Sequence, residues 1–327
     1  MSSDLQKKGL YQQPLMDALQ KLGFTTFGDV WFVNPDTGDD DSYDGKTEQY
    51  PFATVQAAID AATSNQDDVI VLSAYAAHPV AAMLDITKSR LHFISAGHRP
   101  GSIGMGARTR LVMGVTTAAT DIAVMKNTGV GNTFQGIKFD SSNTVDESLY
   151  SVVEGGEYAI YQGCEFYKSS DLDVTGAAEV VNNGDSAQWI NCTFGSSINQ
   201  IADGVIRANM LVTQLLAGSG KYQEDTVIDN CLFLSYSGGE EQVKIYGANA
   251  TDVGRAFIVK NSVFFNNPNS QHTPAHAVGF GAAQTRGGVL LKDCTSIDHT
   301  VMAQASRNIY VDGAVPVFAT TGVSKVA

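Results

Sequence analysis

The chain has 327 residues, of which 17% are charged and 43% are hydrophobic, and it contains 32 glycines. This composition is typical of a packed, turn-rich globular protein and excludes an intrinsically disordered one. The formal net charge of −13 disfavours non-specific binding to nucleic acid and to anionic membranes, and no apolar run is long enough to span a bilayer.

Residues 1–28 are predicted to form an N-terminal arm. Residues 14–23 predict a short helix within it, because a proline lies in the first turn and a glycine at the end. The apolar residues of this helix form one stripe, which consists of Leu15, Met16, Leu19 and Leu22. The stripe can fold back on the rest of the chain or bind another subunit or shell, and the sequence leaves both possibilities open. The polar start of the chain does not resemble a secretory signal, so synthesis in a cytoplasm is expected.

The next segment, residues 29–66, is predicted to begin the main domain with a strand, an acidic glycine turn and a helix. A helix starting near Thr54 would place four apolar residues on one face, namely Val55, Ala58, Ile59 and Ala62. Such a helix can cap the open end of a stacked structure, which would otherwise expose its core and its strand edges. Residues 67–72 then predict the first core strand, and residues 98–106 predict a loop.

A repeated unit occupies residues 116–312. Its phenylalanines step by 27, 28, 39 and 31 residues, and a sixth unit follows 32 residues later. Two positions before each phenylalanine position stands a mostly small residue, in the series Ile137, Cys164, Cys192, Cys231, Ser262 and Cys294. The residue before that one is a turn former, in the series Gly136, Gly163, Asn191, Asn230, Asn261 and Asp293. Self-similarity at this length predicts a solenoid.

The apolar residues within each unit favour strands over helices. They alternate or run in short bursts, as in residues 149–153, 257–259 and 288–291. A unit of this length has no room for a crossover helix, so its strands must pair with the coils above and below. The sequence therefore predicts an all-β parallel β-helix with an inward ladder of cysteines. Asparagine tolerates left-handed backbone, which suits the corner before each cysteine position.

Four cysteines could form two disulfides or a metal site, but no pair has the Cys-x-x-Cys spacing. The shared inward register favours buried free thiols, and redox or metal roles are the alternative.

The repeat resembles the right-handed parallel β-helix of the pectin-lyase-like superfamily over roughly residues 30–312. The segment from Trp31 to Ala62 is similar to the leading segment of many β-helix proteins, including those encoded by phages. The resemblance implies a β-helix domain at residues 29–312 and a C-terminal tail at residues 313–327. The tail is expected to cover the end of the solenoid or to exchange with a neighbouring subunit.

The longest step between repeats predicts an insertion in residues 199–225. The sequence of residues 205–216 indicates an extra loop or helix there. Inserted loops on a solenoid are common places for binding surfaces, and a contact between subunits is an equal alternative.

Catalytic motifs of the superfamily are missing. By resemblance, its hydrolases would carry a Gly-His-Gly and an Arg-x-Lys, whereas the closest strings here are Gly97-His98-Arg99 and the widely spaced Arg255 and Lys260. The alternative catalytic set is Glu154, Glu157 and Glu165 with Asp140, because two carboxylates about 5 to 10 Å apart can cleave a glycoside. Such clusters also arise by chance in an acidic chain.

Metal sites are predicted to be absent. The acidic run from Asp36 to Asp44 fits only the first half of a calcium loop, since the twelfth position is Pro51, and a solvated turn is favoured. His272 and His276 flank a proline in a loop and form a weak candidate. We therefore expect no cofactor.

These features together predict a phage virion structural protein without catalytic activity, with capsid decoration or cementing as its role. Its partner would be the major capsid protein or another virion protein, bound through the stripe of Leu15, Met16, Leu19 and Leu22. By analogy we expect a homotrimer that is made in the host cytoplasm and located in the virion. One alternative is a tailspike or tail-fibre component that binds or cleaves host surface polysaccharide. Another is a bacterial polysaccharide lyase or hydrolase.

Overall fold

The computed structural model describes residues 28–97, 109–114, 120–141, 149–168, 175–202, 207–213, 223–239, 242–270, 272–305, 308–312, 316–319 and 322–325. In this part of the chain there are 28 strands, β1 to β28 in chain order, and one short helix, α1 (Val55–Ala61). The strands form three sheets, and all strand pairs are parallel except the last pair in the second sheet.

Each coil passes through the three sheets in turn. Sheet 1 contains β1 (Val30–Val33), β2 (Asp68–Leu72), β5 (Leu91–Ser95), β8 (Thr133–Gln135), β11 (Ile160–Gln162), β14 (Gln188–Ile190), β17 (Thr226–Asp229), β20 (Ala256–Lys260), β23 (Gly288–Lys292) and β26 (Ile309–Asp312). Sheet 2 contains β3 (Ala77–Val80), β6 (Thr109–Met113), β9 (Ile137–Ser141), β12 (Glu165–Lys168), β15 (Thr193–Gly195), β18 (Leu232–Ser235), β21 (Val263–Asn266), β24 (Thr295–Ile297), β27 (Pro316–Ala319) and β28 (Gly322–Lys325). Sheet 3 contains β4 (Leu84–Ile86), β7 (Ala123–Asn127), β10 (Tyr150–Glu154), β13 (Ala178–Asn182), β16 (Ala208–Val212), β19 (Val243–Gly247), β22 (His276–Phe280) and β25 (Val301–Ala303).

Two aromatic ladders run through the core. Ring centroids in the ladder of sheet 2 are 4.6–5.4 Å apart, through Phe139, Phe166, Phe194, Phe233 and Phe264. Those in the ladder of sheet 1 are 4.1–5.0 Å apart, through Phe93, Phe134, Tyr161 and Trp189. Burying each of these side chains contributes about 1.5–3 kcal/mol, and each stacked pair adds about 0.5–1.5 kcal/mol. The register of the repeat is therefore confirmed.

The four cysteines are free and buried, as the repeat predicts. Each thiol donates to a carbonyl of the previous coil, for example from Cys192 Sγ to the oxygen of Tyr161 at 3.4 Å and from Cys231 Sγ to that of Trp189 at 3.3 Å. Burial raises the pKa of the Cys164 and Cys192 thiols well above the ordinary value, so they stay protonated.

The corner before each cysteine position has the predicted left-handed backbone. The φ angle is 67° at Gly136, 61° at Gly163, 55° at Asn191, 53° at Asn230, 51° at Asn261 and 51° at Asp293. Asparagine side chains also bond between coils, as Asn230 Nδ2 donates to Asn191 Oδ1 at 2.8 Å. Glycine and asparagine occur at this corner because other side chains strain in this region.

Helix α1 follows Thr54, where the sequence predicts a helix start. Thr54 Oγ1 accepts a hydrogen bond from the amide of Ala57 at 3.2 Å. At the other end, Lys88 Nζ donates to three carbonyl oxygens at 2.7–2.9 Å, those of Ile59, Asp60 and Ala62. The apolar face of the helix joins the main core.

One sequence expectation is wrong for the residues that the structure describes. The sequence predicts an extra loop or helix at residues 205–216, yet residues 208–212 form β16, which pairs in register with β13 and β19. Residues 203–206 and 214–222 lie outside the described residues. Met210 and Val212 point into the core and are fully buried. The tail is strand-like, as expected, and β27 and β28 pair as an antiparallel hairpin. The N-terminal arm and the loop at residues 98–106 lie outside the described residues.

We predict that Asn230→Ala lowers the free energy of unfolding by about 1–2 kcal/mol, because alanine strains at φ 53° and the bond to Asn191 is lost. Asn230→Gly should cost clearly less. Asn269→Ala, at an exposed asparagine outside the left-handed positions, is the control and should change stability by under about 0.5 kcal/mol. Denaturant unfolding measures all three. Equal losses for the three variants would contradict the role of the corner.

Candidate functional site

Glu154, the first candidate acid, lies inside the solenoid. It follows Val152 by two residues on β10, so period two puts both side chains on the inner face, and Glu154 is fully buried. Its carboxylate accepts hydrogen bonds from Asn127 Nδ2 at 2.9 and 3.1 Å, from the Gly156 amide at 2.6 Å and from the Tyr161 hydroxyl at 2.5 Å. The protein itself therefore satisfies both oxygens.

The burial of Glu154 changes its ionisation. Loss of solvation raises the pKa of Glu154 to about 7, although its three donors work in the opposite direction. A carboxyl group with a pKa near 7 is a typical acid catalyst, but catalysis also needs contact with substrate. Glu154 is enclosed on all sides, so its acidity is coupled to folding.

Glu157 lies at the corner between sheets 3 and 1, away from the interior. It forms an isolated bridge with Asp185 in the next coil, and Glu224 follows one coil further on. Arg255 pairs with Glu224 at 3.2 Å and also with Asp225. Burial raises the pKa of Asp185, and the charges of Glu224 and Glu157 raise it further. This corner is a partly exposed column of carboxylates that ends at Arg255.

Glu165 and Asp140 lie on the outer face of sheet 2. Glu165 pairs with Lys138 at 3.0 Å, and Lys138 Nζ also lies 4.4 Å from the centroid of the Tyr167 ring. Asp140 is the register partner of Tyr167, and its Oδ1 atom has no hydrogen-bond partner among the described residues. Burial raises the pKa of Tyr167, and the carboxylates of Asp140 and Glu165 add to this rise.

The four carboxylates that the sequence groups as one alternative catalytic set thus occupy three places. Only Glu165 and Asp140 come together, as diagonal neighbours on adjacent strands. Glu154 is separated from them by the wall of the solenoid, and Glu157 lies at a different corner. The predicted set is not one constellation, because residues close in sequence occupy different sheets of the coil.

The corner between sheets 2 and 3 carries charged residues that the sequence analysis missed. Glu179 on β13 accepts from Arg207 Nη2 at 2.5 Å and from Asn209 Nδ2 at 3.1 Å, and the side chains of the ion pair are 5% and 2% exposed. Tyr167 and Lys168 complete one side of a recess next to this pair. The space between the described residues there admits about one water molecule.

Further along this corner, Lys244 on β19 is fully buried and donates to Ser235 Oγ. Ser235 Oγ donates to Asn266 Oδ1 at 2.9 Å, and Asn266 Nδ2 donates to Asp298 Oδ2 at 2.8 Å. Burial lowers the pKa of Lys244 to about 7, opposed by the charges of Glu179 and Asp298. Side chains alternate between the inner and outer faces along a strand. This alternation predicts that Lys168 and Ser235 point inward at this corner, because each lies two positions after an inward phenylalanine.

No group of three or more histidine, cysteine or carboxylate side chains among the described residues is arranged to hold a metal ion. In the acidic run, Asp40 accepts from the amides of Ala53 and Thr54 at 2.7 and 3.0 Å, so it orders the turn before helix α1. His98 and the stripe of the arm lie outside the described residues. The short helix α1 is also no candidate for a membrane span.

No family model and no curated protein matches the chain in sequence. Its fold is similar to that of a pectin methylesterase from Aspergillus niger in deglycosylated form, with a TM-score of 0.55 and 12% identity over 87% of this chain and 84% of that one. It is also similar to a rhamnogalacturonan lyase, with a TM-score of 0.57 and 15% identity over 83% of this chain and 69% of that one. The likeness confirms the right-handed parallel β-helix of the pectin-lyase-like type and shows the fold alone.

We predict that Glu154 makes the protein less stable as the pH rises. The pKa is about 7 in the folded state and near 4.5 when unfolded, so between these values the folded state binds the extra proton. The free energy of unfolding should fall by about 3 kcal/mol from pH 4.5 to pH 7 through this group. Glu154→Gln should remove that fall, with Glu157→Gln at the partly exposed corner between sheets 3 and 1 as the control. Equal pH profiles for wild type and Glu154→Gln would contradict the assignment.

Lys244 predicts the opposite slope in a higher pH range. Its folded pKa of about 7 lies below the ordinary 10.5, so the unfolded state binds more protons between these values and stability should rise with pH. Lys244→Met should flatten this part of the profile, since it removes the group whose pKa differs between the two states. Thermal unfolding from pH 7 to pH 10 measures the effect. Lys260→Met, at a partly exposed lysine, is the control, and a rise retained in Lys244→Met would refute the prediction.

Proposed function

We propose that this chain is a non-catalytic structural β-helix of a phage virion, with capsid decoration as its role. The observation that carries the proposal is the separation of the candidate carboxylates. Glu154 is enclosed in the core, Glu157 lies at the corner between sheets 3 and 1, and Glu165 and Asp140 lie on the outer face of sheet 2. A glycosidase needs two carboxyl groups on the same sugar.

The polar interior supports the same proposal. Glu154 uses both oxygens within the core, and the Glu179–Arg207 pair joins two coils. Lys244 donates to Ser235 of its own coil, and Ser235 donates to Asn266 of the next coil. These groups hold coils together, and the recess beside the Glu179–Arg207 pair admits about one water molecule between the described residues. A protein on the outside of a particle benefits from a solenoid in which every inner strand is paired on two sides.

Two further features fit a virion part. The leading segment resembles that of phage β-helix proteins, and helix α1 packs its buried face on the core, which we propose closes the first coil as a cap. The net charge of −13 favours solubility before assembly. The partner in this proposal is the major capsid protein or another virion protein, and a homotrimer is the expected form.

A second candidate function is binding or cleavage of host surface polysaccharide by a tailspike or tail-fibre component. The outer face of sheet 2 favours it, because Lys138 lies over the Tyr167 ring beside Glu165 and near Asp140, whose Oδ1 accepts no hydrogen bond from the described residues. Aromatic rings next to charged groups are suited to sugars. The partial burial of this face weakens the candidate.

Co-sedimentation with undecorated capsids of the encoding phage tests the first function. We expect saturable binding with a fixed number of copies per capsid, since a decoration protein recognises a repeated lattice site. Mature virions that already carry the protein are the control and should bind little more. Absence of binding to undecorated capsids would overturn the decoration role.

Polysaccharide binding tests the second function. If host glycans bind to the outer face of sheet 2, Lys138→Gln and Tyr167→Phe should each weaken binding at least severalfold in a glycan array or by calorimetry. Tyr158→Phe, at an exposed tyrosine on another corner, is the control and should bind as wild type does. Binding that neither Lys138→Gln nor Tyr167→Phe changes would exclude this face.

A further inference from the structure

We propose that the buried corner between sheets 2 and 3 is a modification site, where Lys244 Nζ forms an amide bond to Asn266 Cγ with release of ammonia. Lys244 lies on β19, and Asn266 lies on β21 in the next coil, so the bond joins two successive coils covalently. The bond does not depend on the proposed function.

The amine and the amide lie against the same hydroxyl group. Lys244 Nζ donates to Ser235 Oγ, and Ser235 Oγ donates to Asn266 Oδ1 at 2.9 Å. Two hydrogen bonds through one oxygen atom hold Nζ within about 6 Å of Oδ1, and Cγ is bonded directly to that oxygen. The flexible stem of a lysine can cover the remaining distance, so the two reacting groups are held next to each other.

Two donors polarise the carbonyl group of Asn266. Ser235 Oγ donates to its Oδ1 at 2.9 Å, and the Ser237 amide donates to the same atom at 3.1 Å. Such a pair forms an oxyanion hole, because it stabilises the negative charge that the oxygen gains when a nucleophile attacks. Asn209 lies beside Lys244 on β16, but its Oδ1 accepts no hydrogen bond from the described residues. The acceptor of the amine is therefore Asn266.

Burial makes Lys244 a nucleophile. The side chain is fully buried, and loss of solvation lowers the pKa of its amine to about 7, although the charges of Glu179 and Asp298 oppose this. A large fraction of the amine thus carries a free electron pair at neutral pH. The pH profile predicted above for Lys244 describes chains in which the bond has not formed, because an amide nitrogen takes up no proton in that range.

Asp298 is placed to carry the proton. Asn266 Nδ2 donates to Asp298 Oδ2 at 2.8 Å, and the charge of Asp298 also acts on the amine of Lys244. The electron pair of Nζ attacks Cγ, and the π electrons of the carbonyl group move to Oδ1. Asp298 takes one proton from Nζ and passes it to Nδ2. The carbonyl group then forms again, the bond between Cγ and Nδ2 breaks, and ammonia leaves without any oxidant or further reagent.

The site also excludes water. All of its side chains are 0–5% exposed, namely those of Ser235, Ser237, Lys244, Asn266 and Asp298. A closed site favours the attack of the amine over hydrolysis of the amide.

Mass spectrometry of the purified full-length chain tests the bond directly. We expect the denatured protein to be lighter than its sequence by about 17 Da, the mass of ammonia. Protease digestion should release a branched peptide in which Lys244 is joined to Asn266. An intact mass equal to that of the sequence would overturn the proposal. A branch at Asn209 would overturn it too, as would a mass loss without a branch, which indicates that an asparagine has cyclised.

Variants test the role of each group. Lys244→Met and Asn266→Leu should each abolish the loss of ammonia, and Asp298→Asn should leave most chains unlinked because it removes the proton carrier. Lys260→Met, at a partly exposed lysine, is the control and should keep the full mass loss. A wild-type yield of the branched peptide in Asp298→Asn would contradict the role of Asp298. The mass of the unmodified sequence decides the proposal even where a variant fails to fold.

Discussion

The in-register stacking of parallel strands is the constraint on which this structure depends. In the paired strands, each residue lies directly above the residue at the equivalent position of the coil below. The side chain at each position must therefore pack against its equivalents in the coils above and below. This requirement favours small thiols, flat aromatic rings and left-handed corner residues. The thiols of Cys164, Cys192 and Cys231 each reach a carbonyl of the previous coil for this reason.

The same stacking brings polar residues together inside the solenoid. At the corner between sheets 3 and 1, Asn127 in one coil donates to Glu154 in the next. At the corner between sheets 2 and 3, Asn209 donates to Glu179, and Asn266 donates to Asp298. Buried charges are costly unless hydrogen bonds satisfy them, so each coil depends on its neighbours for partners. This dependence couples ionisation to folding.

Much of the fold could be predicted from the sequence because chemically similar residues recur at the cysteine, phenylalanine and corner positions of the repeat. The candidate site was harder. Glu154, Glu157 and Glu165 are close in sequence, yet one coil bends through three sheets and separates them. A lysine is expected at the surface, but Lys168 lies two residues after the inward Phe166 on the same strand and is therefore buried inside. Strand β16 was missed because the irregular spacing around it hides its register.

In the proposed structural role, the buried Glu154 and the Glu179–Arg207 pair serve cohesion between coils. The most direct measurement is incubation of the full-length protein with a panel of pectins, alginates and bacterial surface polysaccharides. Reducing ends and the ultraviolet absorbance of unsaturated products would be followed over time. A structural role predicts no release above that of the heat-denatured protein. Release that Glu165→Gln abolishes would contradict it and would place a catalytic site on the outer face of sheet 2.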